Sequence, residues 1–152
     1  MRLLSELLLP CASAFLACLG FTFVFNIHGV GKLICCLGGA LGWLIYLLGD
    51  KSITAGFAAA VAIGVYSESM ARARRCPATC YLLVALLPLV PGGGIYYAMS
   101  YCVAGYKDLF LTTLLQTFGL AAALAVGAML SSSLFRALFP RFPRRLPGLT
   151  KK

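Results

Sequence analysis

Acidic residues are scarce in this chain of 152 residues, because Asp and Glu together number four and there is one histidine. So few carboxylates and a single imidazole leave little material for general acid–base catalysis or for a metal cluster. The Gly-x-Ser-x-Gly motif of a nucleophilic serine is also missing from the sequence. We therefore expect a protein that is not an enzyme and that uses no cofactor.

Charged residues of both signs make up only 11% of the chain, whereas 61% of it is apolar and the mean hydropathy is +0.94. Soluble domains are about half apolar and about a quarter charged. A soluble fold of this length lacks the surface chemistry to cover so much apolar material. The composition excludes a soluble globular domain and predicts an integral membrane protein that forms one compact unit.

The net charge of +9 does not indicate nucleic-acid binding. Lys and Arg lie almost entirely between or after the apolar runs, and aromatic residues are not interleaved with them as in nucleic-acid sites. This distribution is typical of membrane orientation and of contact with anionic lipid headgroups.

No nucleotide site is visible either. The segment Gly-Val-Gly-Lys at 29–32 has Asn26 where a phosphate loop needs its first glycine, and Leu33 where it needs Ser or Thr. If the protein moves a solute across a membrane, the energy must then come from an ion gradient or from downhill flow of that solute.

Most of the seven cysteines lie in apolar runs, where a thiol acts as a small apolar side chain. Cys76 and Cys80 form the one pair with a metal-like spacing, but further ligands are missing and His28 is distant in sequence. We predict no metal site.

Five apolar runs are predicted to span a membrane, which takes about 17–25 residues, and the second of them is rather short. They cover about 7–25, 33–48, 53–71, 78–104 and 109–130. Pro10 leaves only a short apolar stretch before Ala12-Ser13-Ala14, so we expect an uncleaved first span rather than a signal peptide. The predicted fold is an all-α membrane domain over 1–139, followed by a basic, proline-rich cytoplasmic tail over 140–152.

Orientation follows from the Lys and Arg residues between the predicted spans. The first loop, the third loop and the C-terminus carry ten of them, and the opposite side carries three. This predicts a cytoplasmic C-terminus and an external N-terminus. A unit with an odd number of spans also suits the inverted repeats from which many transporters are built.

Small residues recur at helical spacing in three rows. The rows are Gly38 and Gly42; Gly56, Ala60 and Gly64; and Gly119, Ala123, Gly127 and Ser131. Glycine and alanine are common in membrane helices, but three rows together predict a bundle with close helix contacts.

The fourth run contains an interruption, Pro-Leu-Val-Pro-Gly-Gly-Gly-Ile-Tyr-Tyr, at 88–97. Pro88 and Pro91 have no N–H, so the carbonyls of Val84 and Leu87 lose their usual helical partners. Three consecutive glycines favour an unwound turn. Unsatisfied backbone groups are costly in hydrocarbon, so we expect them to face protein, water or a bound solute.

If a helix resumes after the break, its first N–H groups, from about Gly93 onward, present a positive dipole end to an anion. The freed carbonyls then suit an ammonium group, and two tyrosines add hydroxyls. The alternative is a kinked helix whose break is filled by a neighbouring side chain. The candidate pathway residues are Pro88, Pro91, Gly92, Gly93, Gly94, Tyr96, Tyr97 and Gln116.

Two further polar features lie inside apolar runs. Glu68 is a candidate for proton coupling or for contact with a substrate ammonium, because acids in membrane spans usually serve a function. The alternative is an ion pair with Arg72 four residues later. Gln116 and its neighbouring threonines either line the pathway or make hydrogen bonds between helices.

These segments resemble the small subunit of the bacterial threonine/serine exporter family over about residues 21–127. Pro88, Pro91 and Gly92 carry the most specific part of the likeness. Gly42-Trp43 and Ser67-Glu68 support it.

The resemblance implies an exporter of threonine and serine, or of a dicarboxylate such as succinate, that works with a larger membrane subunit in the bacterial inner membrane. The resemblance is also compatible with a higher oligomer of the complex. Two alternative functions remain, an assembly subunit without a pathway of its own and a small uncoupled channel.

Overall fold

The computed structural model describes the backbone of residues 2–138 and the side chains of residues 8–138. Every regular element in that part of the chain is helical, which confirms the predicted all-α class. The helices are α1 (Arg2–Val24), α2 (Gly31–Leu48), α3 (Ile53–Arg74), α4 (Ala78–Leu86), α5 (Gly92–Val103) and α6 (Lys107–Leu138). The predicted basic tail, 140–152, lies outside the described residues, so its boundary with the helical domain stays a prediction.

Three helices, α2, α3 and α6, are long and apolar enough to cross a membrane. The segments Ala78–Leu89 and Gly92–Val103 pass the same test together, as a pair bent by 42° at a break. In α1 the stretch with described side chains, Leu8–Val24, is apolar but shorter than a full span. These lengths and compositions indicate a multi-pass membrane protein.

The turn before α3 is short and held by local hydrogen bonds. Ser52 caps α3, because its Oγ accepts the N–H of Ala55 at 3.2 Å. Asp50 and Lys51 both have positive φ, near 53° and 55°, so the connection from α2 reverses within a few residues. This tight turn keeps the start of α3 next to the end of α2.

The two longest rows of small residues meet each other between α3 and α6. A Cβ added at Gly64 would meet the side chain of Ser131, and one added at Gly127 would lie 2.8 Å from the Cβ of Ala60. Larger side chains have no room there, so the two backbones approach closely. The predicted close contacts are confirmed, and the structure identifies the two rows as partners.

The remaining core joins α2 to the other helices. The row of Gly38 and Gly42 on α2 lies against α3 and α4. A Cβ added at Gly38 would come within 3.2 Å of Ala85, and one added at Gly42 would meet the side chain of Ile63. Cys18, Cys35 and Cys36 are fully buried between α1, α2 and α4 and are free thiols, as expected of small apolar side chains.

Candidate functional site

The proline–glycine segment interrupts the helical path between α4 and α5. After α4 comes a short 3-10 turn at Leu87–Leu89; then Val90 is extended with ψ 125°, and Pro91 has ψ 55°. Gly92 begins α5, so the prediction that the three glycines form an unwound turn is wrong. The helix restarts directly after Pro91 because a proline suits a helix start, where its missing N–H would have no intrahelical acceptor.

Both carbonyls that the prolines release are satisfied within the protein. The Cys18 thiol of α1 donates to the carbonyl of Val84 at 3.4 Å. The N–H of Val90 donates to the carbonyl of Leu87 at 3.2 Å. A neighbouring side chain therefore fills part of the break, as in the alternative interpretation. The contact of Cys18 is not predictable from the sequence, because an apolar helix does not indicate which of its residues faces a distant break.

Other backbone groups at the break have no such partner. Within residues 8–138, no acceptor pairs with the N–H groups of Gly93 and Gly94, and no donor reaches the carbonyls of Pro88 and Leu89. The two N–H groups are among the first of α5 and belong to the positive end of its dipole. Unbonded donors and acceptors thus lie on the two sides of the break.

A cavity of about 620 Å³ opens at this place. Its volume falls within the range of small-molecule sites, about 300–1,000 Å³. The end of α2, the turn before α3, the break and one face of α6 form its walls. Five of the predicted pathway residues line it, namely Pro88, Pro91, Gly93, Gly94 and Gln116.

The other three predicted residues do not line the cavity. Gly92 begins α5 just outside its wall, and Tyr96 and Tyr97 lie on the outer surface of α5, 71% and 58% exposed. The two tyrosine rings contact each other edge to face, with centroids 5.6 Å apart.

Polar side chains reach the cavity from two directions. On α6, Thr113, Gln116 and Thr117 line it, and the Thr117 hydroxyl donates to the Thr113 carbonyl at 2.6 Å. From the opposite wall comes Lys51, and no acidic side chain of the described residues lines the cavity with it. A lysine and a helix N-terminus in a cavity that no described carboxylate lines favour a bound anion.

Trp43 and Lys51 are lining residues that sequence reasoning did not select. Lys51 looks like an ordinary charge in a turn, and only the packing of α2 against the break brings it to the cavity. The indole Nε1 of Trp43 is buried, and it finds no hydrogen-bond acceptor in the described part of the chain. Gly42-Trp43 supports the family resemblance, but the residues around Trp43 in the sequence do not indicate that it lines a cavity.

Glu68 lies away from the cavity, in the second half of α3. Its side chain is 2% exposed, and its Oε1 is 3.6 Å from Nε of Arg136 on α6, whose side chain is 60% exposed. That separation is longer than a hydrogen bond, about 2.7–3.2 Å. Neither carboxylate oxygen accepts a hydrogen bond from any described residue.

Arg72, the partner that the four-residue spacing suggests for Glu68, contacts Phe135. One of its guanidinium nitrogens donates to the Phe135 carbonyl at 3.4 Å, and the guanidinium lies 4.8 Å from the centroid of that ring. The observed ion pair therefore joins Glu68 to Arg136 across two helices. Spacing along one helix does not indicate a partner on another.

Comparison with known proteins gives one family match. The family model described as "Threonine/Serine exporter, ThrE" matches residues 10–134. This range contains the whole cavity lining and Glu68, and it ends just before Arg136. No solved structure matches the chain.

Proposed function

The chain belongs to the threonine/serine exporter family, and we propose that it is the small subunit of a proton-driven secondary transporter. Its cargo is a small solute with a carboxylate, either an amino acid of the threonine or serine type or a dicarboxylate such as succinate. A larger membrane subunit completes the pathway in the bacterial inner membrane.

The observation that carries this proposal is the cavity at the break between α4 and α5. It joins the unbonded N–H groups of Gly93 and Gly94 with the side chains of Lys51 and Gln116. A carboxylate bound there receives hydrogen bonds from donors already in place and meets a positive local charge. The unbonded carbonyls on the other side of the break suit the ammonium group of an amino acid.

In this proposal, α4 and α5 form one discontinuous span, the fourth of five. Broken helices near the middle of the bilayer are a recurring way to build transporter sites, because irregular backbone is tolerated only where it lines a cavity or lies within protein. The excess of Lys and Arg on one side supports a cytoplasmic C-terminus, and the basic tail over 140–152 is proposed to meet anionic lipids there.

A partner subunit accounts for the uneven packing of α5. This helix packs mainly against α6, and its outer face carries exposed residues such as Tyr96, Met99 and Val103. This chain therefore bounds the cavity on one side, and the proposed partner subunit bounds it on the other. In transporters built from repeats, the solute site lies where two halves meet.

Reconstitution separates this function from the alternatives. The chain and the larger family member with which it is expressed are placed in vesicles, together and singly, and uptake of labelled L-threonine and succinate is measured with and without a pH gradient. We expect uptake of at least one solute only when both chains and the gradient are present. Flux from this chain alone without a gradient indicates an uncoupled channel. Flux from the larger chain alone indicates an assembly subunit.

A further inference from the structure

Glu68 is the one described carboxylate that is enclosed by protein. Among residues 8–138 the other acids, Asp50 and Asp108, are exposed, whereas the Glu68 side chain is 2% exposed. No described group donates a hydrogen bond to either of its oxygens. Ser67 next to it is also buried, with a hydroxyl that has no hydrogen-bond partner among the described residues.

Such a carboxylate is poorly stabilised in its charged form. Removing a charge from water is costly unless a close counter-charge and hydrogen bonds replace the lost hydration. Here the counter-charge is Arg136 Nε at 3.6 Å, on a side chain that is 60% exposed. A bound proton removes the charge, and with it the need for compensation.

We propose that Glu68 is the proton-binding residue of this transporter, and that Arg136 is its counter-charge when the proton has left. The proposal rests on the transport function proposed above and adds to it the site at which the proton is carried. Binding the proton neutralises the carboxylate and ends the ion pair between α3 and α6. Losing the proton restores it.

The charges around this carboxylate fit the assignment. On α6 the facing charge is Arg136, and on α3 it is Arg72, which is held at Phe135. The titratable groups buried where this end of α3 meets α2 and α4 are the thiols of Cys35 and Cys36 and the phenol of Tyr81. Thiols and phenols are uncharged near neutral pH. Among the described residues, the ion pair with Arg136 is therefore the contact that changes when the proton binds.

The same two helices connect this pair to the cavity. Ile53 at the start of α3 and Gln116 on α6 both line the cavity. The distance from Ile53 to Glu68 along α3 is roughly 22 Å at about 1.5 Å per residue. Between the two places, the close contacts of Gly64 with Ser131 and of Gly127 with Ala60 hold α3 against α6. A change at the ion pair is thus passed along a tightly packed interface to two walls of the solute site.

The first test compares Glu68→Gln with Asp108→Asn, which removes an exposed carboxylate from the start of α6. Both are reconstituted with the larger subunit, and threonine accumulation is measured with and without a gradient of about one pH unit. If one proton exchanges for one solute, that gradient supports about tenfold accumulation, since 1.4 kcal/mol corresponds to a factor of ten. We expect Asp108→Asn to keep the tenfold stimulation and Glu68→Gln to lose it. Tenfold stimulation in Glu68→Gln would overturn the proposal.

A second test uses the unmodified complex, so it does not depend on whether the variant folds. Dicyclohexylcarbodiimide reacts with protonated carboxyl groups in apolar surroundings, and peptide mass spectrometry locates the adduct. We expect an adduct at Glu68 whose yield falls as the pH of the buffer is raised, because the reagent needs the protonated carboxyl. No adduct, or a yield independent of pH, contradicts proton binding there. If neither threonine nor succinate moves in vesicles, the transport proposal fails, and this labelling still decides the assignment of the proton site.

Discussion

Along α6, the contact with α3 and the contact with α5 are built differently. Against α3, small residues of α6 contact small residues of α3, as Ser131 does with Gly64 and Gly127 with Ala60. No space is left there for a larger side chain. Against α5, one close point at Gly94 lies beside an open cavity. The first contact fixes two helices as a unit, and the second leaves polar backbone accessible to a solute.

This difference separates two requirements of a membrane transporter. Helices in lipid gain little from apolar burial, so a stable pair needs close van der Waals packing, which small residues provide. A solute site needs unpaired polar groups, which lipid does not tolerate and which only a cavity can hold. In the proposed function, α3 meets the first of these requirements and α5 the second. Substitutions that alter either neighbour test whether the division is real.

The largest expected effect comes from filling the α3–α6 contact. Gly127→Leu places a side chain where even a Cβ would lie 2.9 Å from the Phe57 carbonyl oxygen, a backbone atom that cannot move without shifting α3. We expect a loss of about 3 kcal/mol in the free energy of unfolding, at the upper end of overpacking costs. Thermal unfolding in detergent, together with the yield of monodisperse protein, measures the loss.

Gly20→Leu is the matched control, because a Cβ at Gly20 has no atom within 4 Å. It adds the same side chain to α1 and should leave the melting temperature unchanged or raise it slightly, because leucine is a better helix former than glycine. An equal loss in the two variants would show that the α3–α6 contact has no special role.

The next effect concerns the single close point between α5 and α6. Gly94→Ala brings a Cβ onto the side chain of Thr117, which is buried in the wall of the cavity. We expect α5 to shift away from α6, at a cost of about 1–3 kcal/mol, and threonine exchange in vesicles to fall by a larger factor than stability alone explains.

Gly92→Ala serves as the comparison, since nothing lies within 4 Å of its added Cβ. Alanine is the better helix former, so this variant should be as stable as the parent or more stable by up to about 1 kcal/mol. If both variants retain full exchange, the packing of α5 against α6 does not set the shape of the site.

The small-residue rows of the α3–α6 contact are predictable from the sequence, but their pairing is not, and the site is predictable only in part. Rows of small residues such as Gly56, Ala60 and Gly64 have a helical period that belongs to one segment, so the chain itself displays them. The break at Pro88 and Pro91 is visible for the same reason, because proline acts on its own helix. These features are local.

What could not be predicted depends on which helices become neighbours. Three contacts of this kind join parts of the chain that are far apart in sequence. Lys51 lines the cavity at the break, the Cys18 thiol donates to the Val84 carbonyl, and Arg136 lies beside Glu68. Spacing suggests Arg72 for Glu68 because four residues make about one helical turn, whereas the ion pair with Arg136 depends on the packing of α6 against α3. The low helix propensity of three consecutive glycines predicts an unwound turn, but Pro91 permits a helix to start directly after it, and Gly92 begins α5.

A smaller effect is expected from the charge in the cavity. Lys51→Gln keeps a polar side chain but removes the cation, so a carboxylate solute should bind less tightly. An exposed charge pair contributes up to about 1 kcal/mol, which corresponds to about a fivefold rise in the KM for threonine uptake. Lys107→Gln, at an exposed lysine outside the cavity, should leave the KM unchanged. The effect of Lys51→Gln should also shrink at high salt, because mobile ions screen the pair.

The smallest effect isolates the one hydrogen bond that crosses into the break from α1. Cys18→Ala and Cys36→Ala remove the same atoms from fully buried positions, but only the Cys18 thiol donates to the freed Val84 carbonyl, at 3.4 Å. Their difference in unfolding free energy therefore reports the loss of that bond, which we expect to be about 0.5–1 kcal/mol. Chemical denaturation of both variants under one condition measures it. Equal losses would mean that water or a rearranged neighbour satisfies the Val84 carbonyl, and that α1 is not needed to close the break.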